Sequence, residues 1–223
     1  FQLVLVPETG IETVSILIAR AAAHERQQAG DEVWWYICSS PHAPYVTLFI
    51  DHSAIDMRIW SWVSWKYNVE GLLIWETTWW TCPTAFQNEP QNPWVDPMSY
   101  AVGSTGPEPG KAQYWRNGDG RLIYPPNHDI GNDRTPYLEG PVNSIRWEML
   151  REGIENYEYL RLLRDSLERL KPLGVGGEIY EEAEKLLDIP DSIVKDTMTF
   201  TKDPQLLYKF TEQVAALLEG LLN

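Results

Sequence analysis

The chain has 223 residues, of which 43% are hydrophobic and 22% are charged, proportions typical of a globular protein. Its net charge of −14 argues against binding to nucleic acid, because the phosphates of a nucleic acid require a basic surface. No run of about 18 apolar residues is present, so the sequence predicts no membrane-spanning helix. The composition leaves the cellular compartment open.

The first part of the chain alternates between predicted strands and helices. In chain order these are a strand at 1–6, a helix at 11–29, a strand at 33–38, a helix from about 53 to 68 and a strand at 71–75. Ser53 and Asp56 stand three residues apart at the start of the second helix, which is the spacing of a capping box with Asp in the Glu position.

The second part of the chain begins with a long predicted loop at 81–120, rich in Pro, Gly, Asn and Gln. A short fourth strand is predicted at 121–124, and a second loop follows at 125–141. Asn143 or Ser144 is expected to cap a long helix that runs to about Leu170. Two more helices are predicted, at about 178–187 and 204–222.

Near-continuous apolar strands that alternate with helices predict an α/β fold with a parallel sheet. The nearest common architecture is the C-terminal portion, about four β/α units, of a (β/α)8 barrel with extra C-terminal helices. We expect residues 1–170 to form this half-barrel and residues 171–223 to form a helical extension. No glycine-rich phosphate loop follows a strand, so no nucleotide site is predicted.

Aromatic residues and carboxylates cluster where the predicted strands end. The chain has 11 Trp and 11 Tyr but only 5 Phe, and Trp and Tyr join a flat apolar face to a polar tip. Sugars, with apolar C–H faces and hydroxyl rims, match this character. Active sites of barrels lie at the carboxyl ends of the strands. The predicted substrate-binding residues are Glu8, Tyr36, Trp75, Glu76, Trp79, Trp80 and Tyr124.

Four blocks in order resemble the C-terminal catalytic region of the family 123 glycoside hydrolases and their uncharacterised relatives. They are VWWYICSSP, IDHSAIDMRIWSWVSWKYNVEGLLIWETTWW, NGDGRLIYPP and GPVNSIRWEMLREGIENYEYLRLL, which run from about Asp31 to Leu163. The resemblance implies a (β/α)8 barrel that hydrolyses terminal β-linked N-acetylgalactosamine with retention of configuration. It further implies substrate-assisted catalysis by an Asp–Glu pair, with no metal and no cofactor.

The Asp–Glu pair that the resemblance requires is absent from the predicted strand ends. Asp31–Glu32 is the only adjacent pair of this kind, and it precedes its strand, so we interpret it as surface. We therefore expect this chain to be the later part of a longer protein, with the pair upstream of Phe1. The expected partners are a glycan and either the remainder of the barrel or a second copy of the chain.

Two alternatives stay open at this point. A two-carboxylate retaining glycosidase would use Glu76 as its nucleophile. A carbohydrate-binding fragment or scaffold would bind a sugar without turnover. The sequence does not decide whether the chain is an enzyme by itself.

Several conspicuous residues are interpreted as structural. Trp60, Trp62 and Trp65 lie on a predicted helix and are expected in the core. Asp119 is interpreted as a turn residue, and structural ion pairing is expected for three residues of the long helix. These are Arg146, Glu148 and Glu155. Two cysteines and four scattered histidines lack metal-binding spacing.

Overall fold

The structure is a computed structural model of the chain. It describes residues 3–5, 22–38, 41–81, 91–102, 112–114, 118–126, 139–174 and 176–222. Within these ranges strands and helices are mixed, as the sequence predicted. None of the helices described is both long enough and apolar enough to cross a bilayer.

Three short strands form a parallel sheet in the order β1-β2-β3. They are β1 (Leu3–Leu5), β2 (Val33–Tyr36) and β3 (Gly71–Leu73). Leu5 is opposite Trp35 across the first pair of strands, and Tyr36 is opposite Leu73 across the second. The prediction of parallel pairing among the first three strands is therefore confirmed, and β2 and β3 end at the same edge of the sheet.

Two antiparallel strand pairs lie in the second part of the chain. Strand β4 (Tyr100–Val102) pairs with β5 (Ala112–Tyr114), and β6 (Ile123–Tyr124) pairs with β7 (Val142–Asn143). The prediction of a continuous loop at 81–120 is wrong where β4 and β5 pair. The predicted fourth strand is shorter than expected and lies antiparallel to β7. The backbone N–H groups of Leu122 and Ile123 both donate to the Thr77 carbonyl.

The helices are α1 (residues 22–28 within the described range), α2 (Ile55–Lys66), α3 (Ile145–Leu170), α4 (Glu178–Leu186) and α5 (Pro204–Leu222). A short 3₁₀ turn, Lys171–Leu173, follows α3. Ser144 caps α3 by accepting from the Trp147 backbone N–H at 3.2 Å, which confirms the predicted start. Most of the helix predicted at 11–29 lies outside the described residues.

The predicted capping box of α2 is wrong. Ala54 occupies the N-cap position, and no side chain caps the helix. Asp56 is buried and pairs instead with Lys202, which lies just before α5. A buried carboxylate gains more from a cation than from one backbone N–H, so this long-range pair decides its orientation.

The core lies mainly between α2, α3 and α5. Trp60 and Trp62 are buried there and Trp65 packs against its edge, as the sequence predicted. The Asn156 side chain joins the three helices: its Oδ1 accepts from Arg58 Nε at 2.9 Å and from Trp62 Nε1 at 3.2 Å, and its Nδ2 donates to Thr211 Oγ1 at 3.2 Å. The helices that follow residue 170 thus share one core with α2 and α3.

Trp35 and Tyr36 point to opposite sides of the sheet. The Trp35 Nε1 donates to Ser64 Oγ of α2 at 3.1 Å, so this side chain lies on the helical side. Side chains alternate along a strand, and Tyr36 therefore faces away from α2.

Gly153 sets how closely α2 and α3 approach each other. A Cβ at this position would lie 2.7 Å from the Arg58 carbonyl oxygen and 2.9 Å from Ser61 Oγ. Gly153→Ala should therefore reduce the free energy of unfolding by about 1–3 kcal/mol through overpacking, although Ala is the better helix former. Urea denaturation measures the change.

Gly220 is the matched control in α5, because among the described residues a Cβ there would meet Ile179 alone, at 3.9 Å. Gly220→Ala should leave stability unchanged or raise it by up to about 1 kcal/mol. Equal effects of the two substitutions would contradict the close-packing account.

Candidate functional site

The candidate site lies at the carboxyl ends of β2 and β3. Tyr36 is the last residue of β2, and Trp75 follows β3 by two residues. Because these strands are parallel neighbours, their ends bring both side chains to the same edge of the sheet. Both side chains are half-buried.

A glycine-flanked turn, Gly118-Asp119-Gly120, closes against this edge. Its two glycines have φ angles of 70° and 75°, a region that L-residues rarely adopt. Gly120 also lies against the Trp75 ring, where a Cβ would come within 2.7 Å of the Cζ2 atom. The sequence GDG is thus required both by the backbone of the turn and by the close approach of an indole.

Asp119 is fully buried beneath Trp75. Its Oδ1 accepts from Trp75 Nε1 at 3.2 Å, and its Oδ2 has no hydrogen-bond partner among the described residues. The interpretation of Asp119 as a turn residue is right for its backbone but omits this buried carboxylate.

Arg146 holds the turn in place from the start of α3. Its Nη1 donates to the carbonyls of Leu48 at 2.6 Å and Gly118 at 2.9 Å, and its Nη2 donates to the Arg121 carbonyl. Arg146 is 3% exposed, and three of its hydrogen bonds go to backbone carbonyls. The ion pair expected for Arg146 is not formed within the described residues, because burial directs the side chain to the backbone of the turn.

The electrostatics of the site follow from burial. Loss of solvation raises the pKa of Asp119 to about 6, while the Trp75 hydrogen bond, the Gly120 backbone and the Arg146 charge oppose the rise. Burial also raises the pKa of Tyr36, with smaller contributions from Cys38 and Asp119. The pKa of Arg146 is lowered by burial, against the influence of Tyr124 and Asp119. The site therefore holds a carboxyl group that titrates close to neutrality.

Glu76 has a different environment. Its Oε1 accepts from the backbone N–H groups of Thr77 at 2.9 Å and Thr78 at 3.0 Å, and from Thr78 Oγ1 at 3.1 Å. The bond from the Thr78 backbone is the main cause of its lowered pKa, which outweighs partial burial. Glu76 is thus an ionised carboxylate that organises its own turn.

The remaining aromatic candidates surround Trp75 or the strand that follows the turn. The Trp79 ring lies 5.3 Å from the Trp75 ring at an interplanar angle of 56°. The Trp80 Nε1 donates to the Ile123 carbonyl at 2.7 Å, and the Tyr124 ring lies 5.2 Å from that of Trp94. Each of these three side chains is half-buried and contacts another part of the protein.

Two other positions that the sequence singled out are Glu8 and Asp31. Glu8 lies outside the described residues. Asp31 pairs with Arg26 at the amino end of β2, away from Tyr36. Its side chain is 16% exposed, so the interpretation as surface holds for the exposed Glu32 but not for Asp31. Within the ranges that the structure describes, no group of three or more His, Cys, Asp or Glu side chains is placed to hold a metal ion.

Arg121 is a second buried cation that sequence reasoning missed. Its guanidinium donates to the carbonyls of Trp79 at 2.7 Å and Asp96 at 3.1 Å, and to Gln91 Oε1. Through these bonds Arg121 links residues 91–96 to the segment that carries Trp79. The one sequence signal near Asp119 and Arg121 was the NGDG turn, which indicates local geometry and not burial.

Comparison with known proteins gives a consistent result. Residues 4–163 match the model of the family described as "Glycoside hydrolase 123, catalytic domain". Among solved structures, a family 123 glycoside hydrolase from Clostridium perfringens, studied for the details of glycolipid glycan hydrolysis, is similar with a TM-score of 0.51 and 19% identity. The similarity covers 91% of this chain but 29% of that one, so the chain spans less than a third of that enzyme. Comparison with curated proteins gives no match.

Proposed function

Since the chain belongs to glycoside hydrolase family 123, we propose that it supplies the sugar-binding part of a hydrolase that removes terminal β-linked N-acetylgalactosamine. The observation that carries this proposal is the cluster of Trp75, Asp119 and Tyr36 at the carboxyl ends of parallel strands. Residues 1–170 would form the C-terminal half of a (β/α)8 barrel, and residues 171–223 a helical extension.

The aromatic side chains have complementary roles in this proposal. Trp75 offers an indole face for the apolar side of the sugar, with its N–H edge already occupied by Asp119. Tyr36 provides a hydroxyl for the acetamido group. The other proposed substrate contacts are Glu8, Glu76, Trp79, Trp80 and Tyr124.

The proposed reaction proceeds in two steps with retention of configuration. The acetamido oxygen attacks the anomeric carbon, and the glycosidic bond breaks while a glutamic acid gives its proton to the leaving oxygen. Water then opens the cyclic intermediate as the same glutamate accepts a proton, and an aspartate stabilises the acetamido group. We place this Asp–Glu pair upstream of the chain, because no adjacent pair follows a strand here.

The hydrogen bonds of Glu76 favour a supporting role over nucleophilic attack. Three donors from its own turn engage one carboxylate oxygen and lower the pKa of the group, which makes it a weaker nucleophile. A retaining enzyme that uses two carboxylates needs them about 5–5.5 Å apart. A binding fragment without turnover stays the alternative from another class.

The proposed partner is the remainder of the barrel or a second copy of the chain. Within the described residues β1 and β3 each pair with β2 on one side, and an unpaired strand edge favours association. Light scattering should therefore give a mass above the 25.7 kDa of one chain. A clean monomer would count against association.

The decisive experiment measures release of nitrophenol from its β-N-acetylgalactosaminide, with intact mass and sugar binding recorded on the same sample. The β-galactoside, which lacks the acetamido group, is the control substrate and should not react. Turnover in a sample that also contains the missing strands would support the proposal. Sugar binding without turnover in any sample would favour the binding fragment, and neither activity would contradict both.

Tyr36→Phe tests the proposed acetamido contact. Loss of one neutral hydrogen bond should weaken binding of N-acetylgalactosamine by about fivefold, while binding of galactose should be unaffected. Titration calorimetry measures both affinities. Tyr159→Phe, at an exposed position on α3, is the matched control and should change neither. An unchanged affinity in Tyr36→Phe would remove Tyr36 from the binding site.

A further inference from the structure

The indole of Trp75 is held on several sides by the protein. Its N–H bonds to Asp119 Oδ1 at 3.2 Å, its six-membered ring lies against Gly120, and the Trp79 ring lies 5.3 Å away. Of these three contacts, the bond to Asp119 alone fixes the rotation of the ring by a directional interaction. A stacking surface that binds sugars needs such a fixed orientation to avoid losing side-chain entropy on binding.

We propose that Asp119 is a positioning residue that fixes the Trp75 indole as a sugar-stacking surface, and that its ionised form is the one that does so. The inference rests on the proposed function for its ligand, an N-acetylhexosamine. It assigns Asp119 no direct contact with the sugar, because the carboxylate is buried beneath the ring.

The surroundings of Asp119 explain why one carboxylate suits this task. Arg146 fixes the turn that carries it through bonds to Gly118 and Arg121. The groups that face it are the Trp75 N–H, the Arg146 guanidinium, and the Tyr36 phenol with the neighbouring Cys38 thiol. Arg146 is the cation among these groups, so the local charge balance depends on whether Asp119 is ionised.

Protonation of Asp119 should weaken the hydrogen bond that fixes the Trp75 indole. A hydrogen bond to an ionised carboxylate is roughly twice as strong as one between neutral groups. Burial raises the pKa of Asp119 to about 6. The stronger hydrogen bond, to the ionised carboxylate, is therefore fully populated near pH 7.5 and largely lost near pH 5. Sugar affinity should therefore fall by about three- to tenfold between these pH values.

The first experiment follows the indole itself by NMR of protein with ¹⁵N-labelled tryptophan. The Trp75 Nε1–H resonance is assigned by its loss in Trp75→Phe. It should titrate with a midpoint near pH 6, and in Asp119→Asn, which keeps an oxygen acceptor of the same shape, it should stay flat. The Trp65 indole, bonded to the Leu187 carbonyl at 2.9 Å, is the internal reference and should not move.

The second experiment measures affinity for N-acetylgalactosamine by calorimetry near pH 7.5 and pH 5. The affinity of Asp119→Ala for the sugar should be about tenfold lower near pH 7.5. Trp75→Ala should reduce the affinity less in the Asp119→Ala protein than it does in the original protein. In Asp119→Asn the affinity should no longer depend on pH across this range.

The outcomes separate the inference from the proposed function. Sugar binding with an indole that does not titrate, or an unchanged affinity in Asp119→Ala, would overturn the inference and leave the function standing. A titrating indole in a protein without any affinity for the sugar would overturn the function, and the stacking role with it.

Discussion

Arg146→Met is expected to reduce the free energy of unfolding by about 3–5 kcal/mol, because it removes the donor of three buried carbonyl groups at once. The guanidinium is 3% exposed and bonds to the backbone of Leu48, Gly118 and Arg121. Methionine fills a similar volume but donates nothing, so these carbonyls lose their partner without access to water. The loss should appear in urea denaturation as a lower midpoint.

The control lies one and a half turns further along the same helix. Arg151 makes ion pairs with Glu148, Glu152 and Glu155, but its side chain is 51% exposed. Because solvent and salt screen such pairs, Arg151→Met should change stability much less than Arg146→Met. Arg146→Lys should be intermediate, since one ammonium group cannot reproduce the planar fork. Equal losses in the two methionine variants would contradict the role of Arg146 in the turn.

Sequence reasoning succeeded where one segment carries the whole signal. Helix α3 is capped by Ser144 and ends at Leu170 as expected, because a capping hydroxyl and a helical apolar period are local features. The ion pairs of Arg151 with Glu155 and of Arg161 with Asp165 lie at the four-residue spacing that brings side chains together on one helix face. The apolar runs of β2 and β3 likewise identified the sheet edge where the candidate site lies.

Sequence reasoning failed where a side chain is fixed by a distant segment. Arg146 and Arg151 look alike in the sequence, yet one bonds to Leu48, 98 residues away, and the other to its own helix. The GDG turn was recognised, but the burial of Asp119 depends on Trp75, 44 residues earlier. No periodicity or spacing contains these contacts, since they form only when the strands pair and α3 packs against the turn.

Strand pairing beyond the first sheet shows the same limit of local patterns. The residues of β4 and β5 lie in a region of turn-forming composition, and each pairs with a partner 10 to 14 residues away. Arg121 was expected to continue a strand, but its buried guanidinium reaches the carbonyls of Trp79 and Asp96 instead. A buried cation that must satisfy its donors outweighs the strand propensity of its neighbours.

Asp119→Asn is expected to stabilise the protein near pH 7 while weakening the function that we propose for Trp75. In the folded state the pKa of Asp119 is about 6, above its ordinary 3.8. The folded protein therefore disfavours the ionised carboxyl, and the stability that this group contributes below its unfolded pKa is lost as the pH rises through 6. The full difference corresponds to at most about 3 kcal/mol.

The sign of the effect makes the prediction specific. Asp119→Asn and the original protein should differ least in stability below about pH 3, where the carboxyl is largely neutral in both the folded and the unfolded state. As the pH rises through the unfolded pKa of 3.8 and toward the folded value of about 6, the variant should become progressively more stable, by about 1–3 kcal/mol near pH 7, because asparagine never ionises. Thermal or urea unfolding at several pH values measures this difference. A stability difference between the two proteins that is the same at all pH values would show that folding does not shift the pKa of Asp119.

Asp196 provides a control of opposite sign. Its carboxylate accepts from the backbone N–H groups of Met198 and Thr199, each at 2.8 Å, and these bonds lower its pKa. Asp196→Asn should therefore reduce stability slightly near pH 7, with the effect fading as the pH falls through the folded-state pKa. The contrast shows what is unusual about Asp119: burial disfavours its ionised form, whereas hydrogen bonds favour the ionised form of Asp196. A carboxylate retained in spite of that cost is expected where its charge serves binding and not folding.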